Sequence, residues 1–328
     1  MATYKEIFGK GIKNLSSDLS GDAHLGQIWY NTTSNTLKTL LNSAAWSSGG
    51  ALNTARGGFS GGAGASVTDG LIGGTSPTAV EQYDGTSWTT KTSPAAATGQ
   101  RTWFGDSSSA AVQVSGLIWP TIQQITEEWD GSAWTAGGAF PTAAYTGGAT
   151  GSLTDGIYWQ GFTPPGAATN FSATYDGTSW TNAPNVPEST AYSPAGFGTG
   201  SAAVGYSGYG SPTQPTTAFE FNGTSWATTN PVNTGVQYGN GFGIQTAGVK
   251  CGGAQPPSAP EPLNSTETYD GTCFSIGSGQ LANPRGGGAA SGTTNANAFF
   301  AGGGAAPVQG TTEEYSSSVQ SVKTITTS

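Results

Sequence analysis

Few side chains in this chain could carry out acid–base, nucleophilic or metal chemistry, and their spacing limits what they can do. His24 is the only histidine, so a copper or zinc centre built from several imidazoles cannot be assembled. Arg56, Arg101 and Arg285 could clamp a substrate carboxylate if the fold brought them together on one edge. The simpler expectation is that each orders its own loop. Glu127/Glu128 and Glu313/Glu314 are adjacent pairs in segments that read as strands. Successive strand residues face opposite sides, so neither pair forms a close acid/base dyad, and both read as solvated or sheet-edge charges. Cys251 and Cys273 read as free thiols of a chain made in a reducing compartment. No GxSxG, P-loop, HExxH or CxxC pattern is present. The reading is therefore of no enzyme, no catalytic residue, no metal and no cofactor.

The elements that would position these groups follow from a repeat. An aromatic residue before a tight turn recurs at Tyr83, Trp129, Tyr175, Phe221, Tyr269 and Tyr315, in steps of 46, 46, 46, 48 and 46 residues. A second aromatic follows the turn at Trp88, Trp134, Trp180, Trp226 and Phe274, and Trp46 is an earlier copy. The turns carry Asp84-Gly85, Asp130-Gly131, Asp176-Gly177, Asn222-Gly223 and Asp270-Gly271, which supply the positive φ a two-residue hairpin needs. Four short strands per period describe a propeller blade, and six units close a ring. With 53 Gly, 18 Pro and 9% charged residues, composition alone lies near that of disordered chains. The 10 Trp, 12 Tyr and 13 Phe argue instead for packed layers, because those flanking the turns recur at fixed phase.

These residues resemble the kelch repeat: NTARGG at 53 to 58, the diglycine Gly73-Gly74, then Tyr83, a turn and Trp88. The resemblance spans roughly residues 42 to 320 and weakens after its first unit. Arg is kept only at Arg56, Arg101 and Arg285, and the diglycine is lost from units two, three and four. It implies an all-β, six-bladed kelch-like β-propeller over 42 to 328, with the repeating Trp and Tyr packed between blades. The last unit lacks a Trp after its turn, so the strand around Trp46 is expected to close the ring, with Val319 to Ile325 as the competing strand. A sialidase Asp box is poorly matched by TYDGTSW (174 to 180), whose Asp and Gly are adjacent.

Alternating strands place the long Pro-rich loops on one face and the tight hairpins on the other. Trp119, Trp159 and Tyr206 fall near the places where a diglycine would end the second strand, and large aromatics there suit protein contacts or stacking on sugars. With Arg56, Arg101 and Arg285 they form the expected binding set; the alternative is that the aromatics plug the channel.

Residues 1 to 41 differ in texture, with four of the ten basic residues and the only Met and His. GQIWYNTTSNTLKTL (26 to 40) reads as a β-hairpin with its turn at Thr33 to Asn35 and with Trp29 and Tyr30 on opposite faces. This opening resembles the N-terminal segment of virion structural proteins of marine tailed phages, through Tyr4 to Ile12, Ser16 to Asp18, Gly26 to Asn31 and Asn35 to Lys38. The resemblance implies a docking segment, with Ile28, Trp29, Tyr30 and Asn31 at its centre. It also implies a non-enzymatic virion component on a tail, fibre or capsid appendage, whose partners are other virion proteins and copies of itself. A host-surface glycan-binding adhesin is the alternative, and a carbohydrate-active enzyme the weakest reading. A net charge of -9 argues against nucleic-acid partners. The first twenty residues hold no apolar run suited to a signal peptide or membrane insertion, so synthesis in the host cytoplasm is expected.

Overall fold

A computed structural model describes residues 12–58, 61–74, 79–95, 99–118, 120–163, 167–189, 193–209, 214–255, 261–277, 279–304 and 308–325. Among these the chain is all-β and propeller-like, and its one helical element is the 3-10 turn Asp22–His24. Two compact units divide it: Trp46–Ser316, and Met1–Ala45 together with Ser317–Ser328. The boundary thus lies a few residues beyond 41, and the run from Val319 joins the N-terminal unit.

In the larger unit the 46-residue period folds into antiparallel four-stranded sheets. The first comprises Gly61–Ser66, Asp69–Gly73, Val80–Tyr83 and Trp88–Lys91 in sequence order. Four more repeat the pattern, with inner strands Thr102–Ser107, Gly148–Ser152, Ala195–Gly198 and Asn240–Ile244. A further sheet runs Ala289–Ser291, Asn297–Ala301 and the first part of Thr312–Thr324, beside which lies the end of Thr36–Ser48 from Trp46 on. Each inner strand lies against that of the next sheet, and Ala289–Ser291 lies against Gly61–Ser66, so the cycle closes.

The outer hairpins use their glycine differently from the sequence expectation. Tyr83 pairs with Trp88, Asp84 N donates to Ser87 O at 3.3 Å, and the positive φ (92°) belongs to Gly85 alone. The central pair of the turn is Gly85-Thr86, with Gly at the first central position. Asp84 stands outside it as a cap, its Oδ1 accepting from Thr86 N and Ser87 N, both at 2.8 Å. Asp130, Asp176, Asn222 and Asp270 repeat this.

The core lies between sheets. Tyr83 and Trp88 of the first sheet pack with Ala289, Phe299 and Ala301 of the sheet that precedes it in the cycle. Tyr158 and Tyr175 of the third sheet pack on Phe104, Val112 and Val114 of the second. Large rings at this spacing need strands without side chains opposite them. A Cβ on Gly61 or Gly73 would collide with Trp103, and one on Gly148, Gly196 or Gly205 with Trp159. Much of the glycine content is therefore packing complementarity.

In the smaller unit Lys13–Leu15 runs parallel to Ile28–Asn31, which pairs antiparallel with the start of Thr36–Ser48. The turn between them is held by Asn31, whose Oδ1 accepts from Thr33 N and Ser34 N at 3.0 Å and whose Nδ2 donates to Asp18 Oδ1 at 2.6 Å. Ile325 N donates to Leu37 O at 2.8 Å, which adds the C-terminal strand to this sheet.

Candidate functional site

The second residue of the third strand decides where the buried charges go. It is Glu81, Glu127, Glu267 and Glu313 in the first, second, fifth and last sheets, and each faces a buried cation. The partners are Arg56, Arg101, Lys250 and Arg285, with Arg101 to Glu127 at 3.2 Å and Lys250 to Glu267 at 2.8 Å. Each carboxylate also accepts backbone N–H groups from the loop entering its own sheet. These donors are Asn53 and Thr54, Ala95, Asn233 and Thr234, and Ala282 and Asn283. In the third and fourth sheets the position is Ala173 and Phe219. Among the described residues the buried cation is gone there too. Acid and base are thus present or absent together, as a loop anchor requires. Burial lowers the Arg101 pKa to about 10 and lowers those of Arg56 and Arg285, with the facing Glu opposing the shift in each case.

This corrects two sequence expectations. Glu127 and Glu313 are not solvated charges: they lie inside, where the strand alternation sends them, while their neighbours serve the adjoining sheet. Glu128 accepts from Tyr175 Oη, and Glu314 accepts from Tyr83 Oη at 2.6 Å. The three arginines do not converge on a ligand, because each is buried against its own sheet's glutamate.

The aromatic platform is corrected as well. Trp159 is 0% exposed and Tyr206 is 1% exposed, and both are packed between sheets. Tyr206 Oη donates to Asn240 O at 2.8 Å on the next inner strand. Trp119 lies outside the described residues. Nor do these aromatics replace the diglycine. That place is held by Ser115-Gly116, Gln160-Gly161 and Ser207-Gly208, whose φ values of 66° and 112°, 58° and 103°, and 56° and 107° match those of Gly252-Gly253 (60° and 103°) and Gly302-Gly303 (68° and 99°). A left-handed first residue is kept without glycine, which a pattern search for GG does not see. At the hairpin, Trp29 is buried, Asn31 is buried in its turn, Tyr30 is half-buried and Ile28 is 41% exposed.

The repeating indoles tie one sheet to the one before it. Trp88 Nε1 donates to Thr312 Oγ1 (2.9 Å), Trp180 to Thr126 (2.8 Å) and Trp226 to Ser172 Oγ (3.1 Å), each hydroxyl opening the preceding sheet's third strand. Where that strand opens with Val80, Trp134 turns to Thr92 O; where it opens with Ala218, the marker is Phe274. The signal was available in sequence as a matched hydroxyl and indole 54 residues apart, as at Thr126/Trp180 and Ser172/Trp226.

The inner strands surround a cavity of about 390 Å³. One edge of each inner strand pairs with its own sheet, so the other presents backbone N–H and C=O groups to this space. At the end where the loops enter, Thr146 N donates to Gln100 O (3.3 Å) and Ser193 N to Thr146 O (2.9 Å), linking successive sheets around the mouth. Bridges Gly99 to Leu117, Tyr145 to Phe162 and Gln237 to Ala254 join these entry loops to the loops between second and third strands. The acids lining the cavity are Asp106 and Asp155, and its one lining base is Arg101, already paired to Glu127.

No family model matches the chain, and no curated protein matches it. Among solved structures it is similar to one described as "Structure of YjhT", with a TM-score of 0.63, 15% sequence identity, 85% of this chain covered and 99% of that one. At this identity the likeness speaks for the fold alone, and it agrees with a propeller-like arrangement.

Proposed function

We propose that the chain is a non-enzymatic structural component of a tailed-phage particle. In this reading it is a six-bladed kelch-like propeller held on a tail, fibre or capsid appendage by its smaller unit, with other virion proteins and further copies of itself as partners. The observation that carries it is the commitment of the buried charges. Arg56, Arg101, Lys250 and Arg285 are paired with glutamates that hold entry loops, so the groups best suited to chemistry serve as scaffold. The smaller unit supports docking. It exposes Ile12, Ile28, Leu41 and Val319, large apolar side chains whose burial against a partner would be favourable. Ile28 stands opposite Thr39, and Leu41, two residues further on, shares that face. Mass spectrometry of gradient-purified particles tests the reading: a fixed ratio to the major capsid protein across the particle peak is expected, and recovery of the chain only in the unassembled fraction would sink it.

A further inference from the structure

Thr146 carries three costs, of which its place in the scaffold explains the backbone conformation but not the buried, unpartnered hydroxyl. Its φ is 55°, in the left-handed region that a β-branched residue enters only under strain. It is only 3% exposed, and its Oγ1 has no hydrogen-bond partner. Its Oγ1 is thus a buried hydroxyl left without compensation. The left-handed entry position recurs in every sheet, as Gly58, Gln100, Ser193, Tyr238 and Gly287 with φ of 69°, 56°, 47°, 57° and 72°, and Thr146 is the β-branched residue among them. Thr146 also lines the cavity.

We propose that the cavity mouth at Thr146 binds a neutral sugar residue, with Thr146 Oγ1 among its hydrogen-bonding groups. A hydroxyl beside strand edges rich in backbone donors and acceptors matches a polyhydroxylated ligand. A volume of about 390 Å³ lies in the range of small-molecule pockets, roughly 300 to 1,000 Å³. Asp106 and Asp155 line the same space while Arg101 is neutralised by Glu127, so an anionic sugar is disfavoured. The ligand class is the one expected of a glycan-binding adhesin, but the site moves from the buried Trp159 and Tyr206 to the channel. It goes beyond the particle reading and stands or falls on the isolated protein.

Saturation-transfer NMR on the purified full chain tests it, using glucose, galactose, mannose and N-acetylglucosamine against glucuronic acid and N-acetylneuraminic acid. At least one neutral sugar is expected to bind, with affinity at least tenfold weaker in Thr146→Gly and Thr146→Val and retained in Thr146→Ser. Thr146→Gly is expected to melt at the same temperature as the parent or higher, since it relieves strain and removes the orphan hydroxyl. Absence of binding by all four neutral sugars, preference for the acidic sugars, undiminished binding in Thr146→Gly, or a lowered melting temperature in that variant would each overturn the proposal.

Discussion

Trp46 Nε1 donates to Thr266 Oγ1 at 3.0 Å, joining residues 220 positions apart by the same bond that Trp88, Trp180 and Trp226 make with hydroxyls about 54 positions before them or, for Trp88, with Thr312. Its ring also meets Phe242 and Tyr315, with centroids 6.1 and 5.1 Å away. Trp46 therefore does for the last sheet of the cycle what the other indoles do for theirs. Replacing Trp46 by Phe keeps the ring and removes the donor, and is expected to cost about 1 kcal/mol in urea unfolding. A double-mutant cycle with Thr266→Val should return most of that as coupling energy.

Removing one member of a buried ion pair should be far more damaging than losing an indole bond. Lys250→Met leaves Glu267 buried with only backbone and amide donors, from Asn233 and Thr234, and is expected to destabilise by about 3 to 5 kcal/mol. The same denaturation series on Lys91→Met, a residue outside these pairs, should stay within about 0.5 kcal/mol.

Alkaline pH should unfold the protein through its tyrosines. Burial, with the bond to Glu314 next in weight, raises the Tyr83 pKa from 10.0 to about 12. Burial is also the main cause that takes Tyr269 and Tyr315 to about 12. Below pH 10 folded and unfolded chains both hold these protons; between pH 10 and about 12 only the folded chain does, so stability falls as pH rises through that window. Arg101, lowered to about 10, and Arg56 and Arg285, lowered as well, work in the opposite direction, but they are three groups against six raised tyrosines, Tyr158, Tyr175 and Tyr206 included. Melting temperatures from pH 8 to 11.5 should decline, and Tyr83→Phe should show a shallower decline than the parent.

Glycines opposite large rings should tolerate no methyl group. Gly148→Ala drives a Cβ into the Trp159 indole and is expected to cost about 1 to 3 kcal/mol through overpacking. Pairing it with Trp159→Leu should recover part of the loss relative to Trp159→Leu alone, as thermal unfolding would show.

How much of this was legible in the sequence depends on whether a feature repeats. Tyr83 and Trp88 recur at fixed phase, so the strands could be read directly, while the inter-sheet position of these rings followed from the kelch resemblance. The role of Glu81 could not, because its partner changes backbone site: Arg56 and Arg285 come from entry loops, Arg101 from the residue before an inner strand, and Lys250 from a second strand. A spacing rule has nothing to hold when the same charge is supplied from three places. Trp159 and Tyr206 misled for the opposite reason. An aromatic beside a lost diglycine looks like an exposed substitution, yet Gln160 and Ser207 keep the left-handed turn and send both rings inward. Thr146 was invisible, since only its φ and its unpaired hydroxyl distinguish it from other threonines.

The central claim is that this chain is a particle component held by its smaller unit, and gold labelling of the propeller in electron micrographs of purified particles tests it most directly. The account predicts label at one recurrent substructure, lost when Ile28→Asp and Leu41→Asp are introduced together although the variant retains the parent's unfolding transition. Absence of label from particles made with the unaltered chain, or undiminished label with the doubly substituted one, would contradict it.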